Sequence, residues 1–294
     1  MTSLDLLLVL ISAALHATWN LWAKASQNAT IFLGLFQLVT LALTVPLLPW
    51  MHVSEIPRGV WVVLPITGIV HYFYQRWLAR AYLTGDMAVV YPITRSTAAF
   101  VALLGPAIGD YVSWVGAIGI AIVVAGVWAV GTNGRLDPRK LFGPETAYAW
   151  LALATTVLYT LADKAAMRAF HPADWTSPLP RGVVYFLLVN AAHGVLYGPW
   201  MVRTLGRQPI LAQARAEWRP ILGAALASGA SYALVLEALR TAPSGYVTAT
   251  RQISVLFAAG LGWWFLGERT SPARQIGAVL TVAGIAILGV AGSA

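Results

Sequence analysis

Cysteine is absent from this chain, which removes disulfides, thiolate metal sites and dithiol redox chemistry while leaving the compartment open. Charge is scarce too. Asp, Glu, Lys and Arg make up 10% of the residues, against about 25% in soluble globular domains, too few to clothe a surface that faces water. The net charge of +8 is carried by single Lys and Arg residues between apolar runs. No basic stripe with interleaved aromatics forms, so nucleic acid is not an expected partner. The sequence has no H-E-x-x-H, no paired intramembrane aspartates and no Walker loop, and its histidines fall on separate segments. A membrane-embedded enzyme is therefore kept only as the alternative from a different class, and neither a metal nor a cofactor is expected. Ser/Gly tracts and blocks of like charge are missing as well.

What is present is apolar sequence, 59% hydrophobic by composition. A helix that crosses a bilayer needs about 20 mainly apolar residues. Such runs fall near 4–23, 31–49, 60–83, 87–108 and 112–130, and again near 145–167, 183–202, 219–239, 246–266 and 273–290. Proline and glycine punctuate the breaks, at Pro57, Gly85, Pro106, Pro144, Pro180, Pro209 and Pro243. The expected fold class is an all-α integral membrane protein with ten transmembrane helices and the lipid bilayer as its solvent. The first run carries Asp5, His16, Asn20 and Lys24 and has no basic leader before it, so it reads as a retained helix and not as a cleaved signal.

The ten runs form a repeat. Gly109-Asp110, Gly119 and Gly126 recur with the same gaps as Gly267-Glu268, Gly277 and Gly284. Leu21-Trp22-Ala23-Lys24-Ala25 is echoed by Leu161-Ala162-Asp163-Lys164-Ala165. The expected division is a first repeat over 1–131, a linker over 132–144 and a second repeat over 145–294. Five is odd, so consecutive five-helix units enter the membrane with opposite orientation. Inverted repeats of this kind are a secondary-transporter design, with the substrate site near the midplane between them. Because the repeats are fused, the chain is expected to function as a monomer.

Two five-helix sets, each with Gly-Glu/Asp followed by a Gly-x6-Gly helix, resemble the drug/metabolite transporter superfamily in its EamA-type branch. Phe265-Leu266-Gly267-Glu268-Arg269 with Gly277 and Gly284 is the closer match; in the first half Asp110 and Tyr111 stand where the family often has Glu and Arg. The resemblance implies a ten-helix carrier of the bacterial-type inner membrane that exports metabolites, amino acids among them, with both termini inside. The loop charges point the other way. Basic residues mark the cytoplasmic side, and Lys24, Arg135, Arg139, Lys140, Arg207, Arg215 and Arg269 follow odd-numbered runs, against Arg58, Arg168 and Arg181 after even-numbered ones.

The repeated glycines read as packing positions, where small residues let helices approach in lipid. Asp110 and Glu268 read as helix caps or partners of a nearby base. Polar groups deep in the runs are the candidates for function, because a charge at the bilayer centre costs about 2.5–3.5 kcal/mol and persists where it faces a cavity or partner. Arg95, in Tyr91-Pro92-Ile93-Thr94-Arg95, and Arg251, followed by Gln252, are approximate counterparts in the fourth and ninth runs. One reading gives them a substrate's anionic group, which suits the guanidinium fork. The other makes them structural ties to backbone carbonyls or to an acid such as Glu237. Pro92 adds a kink suited to a cavity wall.

The first run offers His16 and Asn20 on one face with Trp19 adjoining, and the third offers His71 and Gln75 at the same spacing. Either histidine suits proton exchange. Tyr159 aligns with Trp19 in the repeat, and Ser231-Tyr232 lies midway along the eighth run; such aromatics can stack on a ring or meet an ammonium. Asp163, Lys164 and Arg168 read as interfacial pairs, and Trp50, Trp61, Trp114, Trp150, Trp200 and Trp218 as a belt. The expected function is export of a small zwitterion or anion, with a phosphorylated or sugar-linked metabolite as the alternative cargo.

Overall fold

Helix starts in this chain are set by short polar side chains placed just before apolar runs. Thr2 and Asp5 form a capping box at the head of α1 (Ser3–Ala25), and Asn28 Oδ1 accepts from Thr30 N and Ile31 N to start α2 (Ala29–Leu47). Asp86 caps α4 (Met87–Arg95) and Ser113 caps α6 (Trp114–Thr132). Between them lie α3 (Arg58–Thr84) and α5 (Thr97–Leu104). The second half runs α7 (Ala147–Phe170), α8 (Arg181–Leu205), the short α9 (Arg207–Ala216), α10 (Trp218–Thr241), α11 (Ser244–Arg251) and α12 (Pro272–Ala291). The computed structural model describes residues 1–134, 137–170, 174–257, 260 and 271–291. Gly267, Glu268 and Arg269 of the repeated motif, and Arg135, lie outside the described residues.

No strand occurs among the described residues. Among the described residues, seven helical segments are long and apolar enough to cross a membrane: Ser3–Ala25, Ala29–Trp50, Ala88–Ile108, Trp114–Thr132, Arg181–Leu205, Trp218–Thr241 and Pro272–Ala291. The sequence runs near 60–83 and 145–167 became α3 and α7, which have the length, at 27 and 24 residues, but not the apolarity. Large apolar side chains such as Val62, Leu103, Val115, Val279 and Val290 stand exposed on the outside, the reverse of a water-soluble surface and the surface that lipid covers.

Three helix pairs form the frame: α6 with α12, α3 with α7, and α1 with α10. Around them α8 packs on α2, α3 and α10, and α11 packs on α5. The first pair explains the glycines. A β-carbon added at Gly126 would lie 2.6 Å from the Gly277 carbonyl oxygen, and one at Gly277 would lie 2.6 Å from the Gly126 carbonyl oxygen. Likewise Gly119 faces the Gly284 carbonyl oxygen at 3.1 Å, and Gly284 faces that of Gly119 at 2.7 Å. The later glycine of α6 meets the earlier glycine of α12, so the two helices run antiparallel with their backbones in direct contact.

The α1–α10 pair is closed by hydroxyls. Ser12 Oγ donates to the Ser231 carbonyl at 2.7 Å, and Ser231 Oγ donates to the Ser12 carbonyl at 2.9 Å. At its end Thr241 Oγ1 donates to Asp5 Oδ1 at 2.8 Å. Asp110 serves as a cap, but across the molecule: its Oδ2 accepts from the backbone N and the hydroxyl of Ser244, the first residue of α11. Its other oxygen lies 3.7 Å from Lys164 Nζ and 3.4 Å from Arg168 Nη2.

Candidate functional site: an arginine- and tyrosine-lined interior

Two helices break at an arginine. The chain leaves α4 at Arg95, passes Ser96 at φ −74 and ψ 3, and re-enters helix as α5. Pro92 supplies no N–H, and its carbonyl accepts instead from Ser96 Oγ at 2.9 Å; the same hydroxyl receives Trp128 Nε1 at 2.8 Å. In the second half α11 ends at Arg251, Gln252 forms the turn, and 253–257 are helical again. Arg95 and Arg251 thus hold matching positions at the end of the first segment of a broken helix. The approximate correspondence in sequence is a close one in structure.

Both guanidiniums point into one region. Arg95 and Arg251 each act electrostatically on His16 and on Tyr74, and Arg95 acts on Arg251 itself. Neither has a carboxylate within 4.0 Å among the described residues. Arg95 lies over the Tyr91 ring at 5.2 Å, a cation–π contact. Arg251 Nη2 donates to His16 Nδ1 at 3.2 Å, and its Nε is buried without a hydrogen-bond partner. Glu237, the acid the sequence offered as a structural tie, is engaged elsewhere, with Gly182 N at 2.6 Å and Arg240 Nε at 3.3 Å.

The third-run histidine anchors the other side. His71 Nδ1 meets the Thr67 carbonyl at 2.9 Å, its ring stacks on Tyr159 at 4.1 Å, and its Nε2 lies 3.2 Å from Tyr232 Oη. Tyr74 packs edge-on against Tyr159 at 5.5 Å. Gln75 Oε1 and Gln252 Oε1 are buried without partners. His16, His71, Tyr74, Gln75, Tyr91, Arg95, Tyr159, Tyr232 and Arg251 all keep part of their surface accessible, though helices pack on every side of them.

Other residues singled out in sequence make contacts within the helix frame. The Ser231 hydroxyl is 1% exposed and bound to Ser12, so it ties α1 to α10. Asn20 Nδ2 donates back to the His16 carbonyl at 2.7 Å. Trp19 meets His16 edge-on at 5.0 Å but leans on Phe36 at 5.5 Å within an apolar cluster. Of the belt tryptophans, Trp50, Trp61, Trp114 and Trp218 are exposed, whereas Trp150 donates to the Leu141 carbonyl at 2.7 Å and Trp200 carries Arg76 over its ring at 5.1 Å.

Asp163 is the correction. Its sequence reading pairs it with Lys164 at the interface, yet the two side chains leave the helix in different directions. Lys164 turns to Asp110 and to the Leu239 and Ala242 carbonyls, at 2.8 and 2.7 Å, which end α10. Asp163 turns inward, where it accepts from Tyr232 Oη on one oxygen and from Tyr185 Oη at 3.1 Å on the other. One sequence signal was available: Asp163 lies one helical turn past Tyr159 and so shares its face.

Among similar proteins, a solved structure described only as "Crystal structure of protein" superposes with a TM-score of 0.74, covering 99% of this chain and 98% of that one at 16% identity. That likeness is one of fold. A comparison with curated protein sequences gave no match. The model of the EamA-like transporter family matches residues 146–290, almost the whole second half. The apolar helices and that match together identify a multi-pass membrane protein, and the chain belongs to the EamA-like transporters of the drug/metabolite transporter superfamily.

Proposed function

We propose that the chain is a secondary carrier of a bacterial-type cytoplasmic membrane. It exports small zwitterionic or anionic metabolites, amino acids foremost, by alternating access around a space between two inverted five-helix repeats. The observation that carries this reading is the pair of guanidiniums, Arg95 and Arg251, one from each half, in one interior with no carboxylate within 4.0 Å of either among the described residues. Two like charges brought together with no ion-paired carboxylate favour an anionic guest, and the planar fork suits a carboxylate. The tyrosine faces nearby offer an ammonium its cation–π contact. Sugar phosphates are the second reading, favoured by the same two charges.

The repeat is supported by how the helices pair. Taking α4 with α5 as one broken crossing, α11 with 253–257 as another, and α9 as a surface helix gives ten crossings in two sets of five. Exchanging the sets turns the α1–α10 pair into the α7–α3 pair and maps α6–α12 and α2–α8 onto themselves. The self-paired helices α6 and α12 run antiparallel through the matched glycines, as an axis in the membrane plane requires. Discontinuous helices at the site fit the same design.

The test is uptake into proteoliposomes with labelled amino acids set against labelled sugar phosphates. Arg95→Ala and Arg251→Ala, each eluting as folded protein, should lower the initial rate at least about tenfold, a loss of about 1.4 kcal/mol. Full transport in both variants removes the cavity assignment.

A further inference from the structure

The contacts around Tyr232 hold one proton more than the phenol can supply. Tyr232 Oη reaches both Asp163 Oδ2 and His71 Nε2, the latter at 3.2 Å. A phenol has a single hydrogen to donate, so one of these two bonds must take its proton from the neighbour. The far ends of the chain of contacts are already committed. His71 Nδ1 faces the Thr67 carbonyl oxygen at 2.9 Å, which only an N–H can satisfy, and this leaves Nε2 as the lone-pair nitrogen of a neutral ring. Asp163 Oδ1 accepts from Tyr185 Oη at 3.1 Å, and Tyr185 in turn meets Thr67 Oγ1 at 3.2 Å.

Two arrangements fill both bonds at Tyr232. In one, imidazolium Nε2–H donates to the phenol oxygen and the phenol donates to an ionised Asp163. In the other, a protonated Asp163 donates to the phenol oxygen and the phenol donates to neutral imidazole. Both contain one proton beyond neutral His71 with ionised Asp163. They interconvert by one concerted shift: the Nε2–H and phenol O–H bonds break while new bonds form to the phenol oxygen and to the carboxylate, with no change in total charge. Remove that proton and one of the two bonds opens.

The three residues belong to different helices, His71 to α3 in the first half and Tyr232 and Asp163 to α10 and α7 in the second. We propose that His71, Tyr232 and Asp163 form a proton-binding relay that couples transport to proton movement, loaded while α3 and α10 meet at this level and discharged when they part. The proposal rests on the carrier reading and names the ion that drives it. Its surroundings suit a site whose charge must change. Tyr159 of α7 stacks on His71, Tyr74 of α3 packs on Tyr159, Tyr185 of α8 binds Asp163, and His193 of α8 interacts with His71. Arg251 of α11 and Arg95 of α4 supply positive potential, Arg251 acting on Asp163 and both acting on Tyr159. Among the described residues, no acid other than Asp163 is among the groups acting on His71, Tyr232 or Asp163, so Asp163 is the exchangeable carboxyl there.

Two readouts test it. In proteoliposomes with the membrane potential clamped, an imposed pH gradient should drive accumulation of an equimolar mixture of labelled amino acids, about tenfold per pH unit for one proton per substrate. Asp163→Asn keeps the shape and a donor for Tyr232; it should retain label exchange at equal pH and lose gradient-driven accumulation. Tyr232→Phe, which cuts the relay but leaves the carboxyl, should likewise lose gradient-driven accumulation. Accumulation at the wild-type level in both variants overturns the relay. If the wild-type protein exchanges none of the labelled solutes, the substrate reading fails, and infrared difference spectra of the purified protein decide the relay by themselves. A carboxylic-acid C=O band that titrates in the wild type, vanishes in Asp163→Asn and shifts in His71→Gln supports it. The absence of any band that depends on Asp163 refutes it.

Discussion

The α1–α10 pair and the α7–α3 pair occupy equivalent places and are built alike at their ends, yet they differ at mid-depth. Near one loop cluster Glu217, before α10, accepts the Gln27 backbone N–H at 2.9 Å; near the other, Glu55, before α3, accepts the Thr176 backbone N–H at 2.9 Å. In the middle, α1 and α10 close on a pair of serine hydroxyls, while α7 and α3 hold an acid, a histidine and stacked tyrosine, with Tyr232 reaching in from α10. Matched ends with unmatched centres are what the proposed carrier needs, a frame that holds the bundle and a separate site for cargo. A packing frame needs two equal sides, whereas a proton and a substrate each need one site.

The largest effect is expected where the two sides part company near a helix end. Lys164 is buried against Asp110 and two carbonyls, while its counterpart Lys24 is exposed. Lys164→Met leaves Asp110 buried with only Arg168 as a cationic partner. Truncating one member of a buried pair costs about 3–5 kcal/mol, so a sharp fall in melting temperature and in folded yield is expected. Lys24→Met should shift neither. Equal effects from the two substitutions would erase this part of the contrast. Next come Gly126→Leu and Gly277→Leu, which strike the same contact from opposite sides. Each should destabilise by about 1–3 kcal/mol through overpacking, and the double variant should lose less than the sum because the two share a partner. Additive losses would mean that the two glycines do not face one another.

A smaller loss tests the centre. Ser12→Ala with Ser231→Ala removes both hydroxyls together and leaves both carbonyls within their helices, at about 1 kcal/mol of stability and with transport kept. His71→Gln should do the opposite, lowering transport while stability hardly moves. If the serine double variant transports no better than the histidine variant, the division between frame and site is wrong.

Much of the frame was legible in the sequence and little of the site's wiring was. Apolar runs predict where the helices lie because lipid demands about 20 such residues, and the recurring glycines predict close packing because little else lets backbones touch. The runs that became α3 and α7 are the least apolar of the long helices for a physical reason: they carry His71, Gln75, Asp163 and Lys164, groups placed for function or buried pairing. Pro92 announced the break after Arg95. The break at Gln252 has no proline or glycine beside it and was silent. Asp163 was misread because neighbours in sequence suggest neighbours in space, whereas adjacent residues on a helix point about 100° apart. That angle sends Lys164 to Asp110 and Asp163 to the tyrosines.

The smallest effect sits in the loops and sharpens the likeness of the ends. Glu55 lies in a short turn, Val53–Glu55, outside the spanning helices. Its carboxyl is pulled from about 4.5 down to about 2, first by the Thr176 hydroxyl, then by the Thr176 backbone N–H, with His52 adding to both. A carboxyl whose pKa is lower folded than unfolded adds stability that is complete above its ordinary range. That stability drains away as the pH falls from near 4.5 towards 2. Thr176→Val deletes the leading donor and leaves the backbone one. The variant's melting temperature should therefore sit slightly below wild type at pH 6, and the gap should narrow at pH 3. At the other end Gln27 gives Glu217 only its backbone N–H, beside the Gln213 side-chain amide, so Gln27→Ala should show no gap at either pH. A Thr176→Val gap that stays constant across that range would detach Glu55 from the tie, and with it the claim that the two ends are held in the same way.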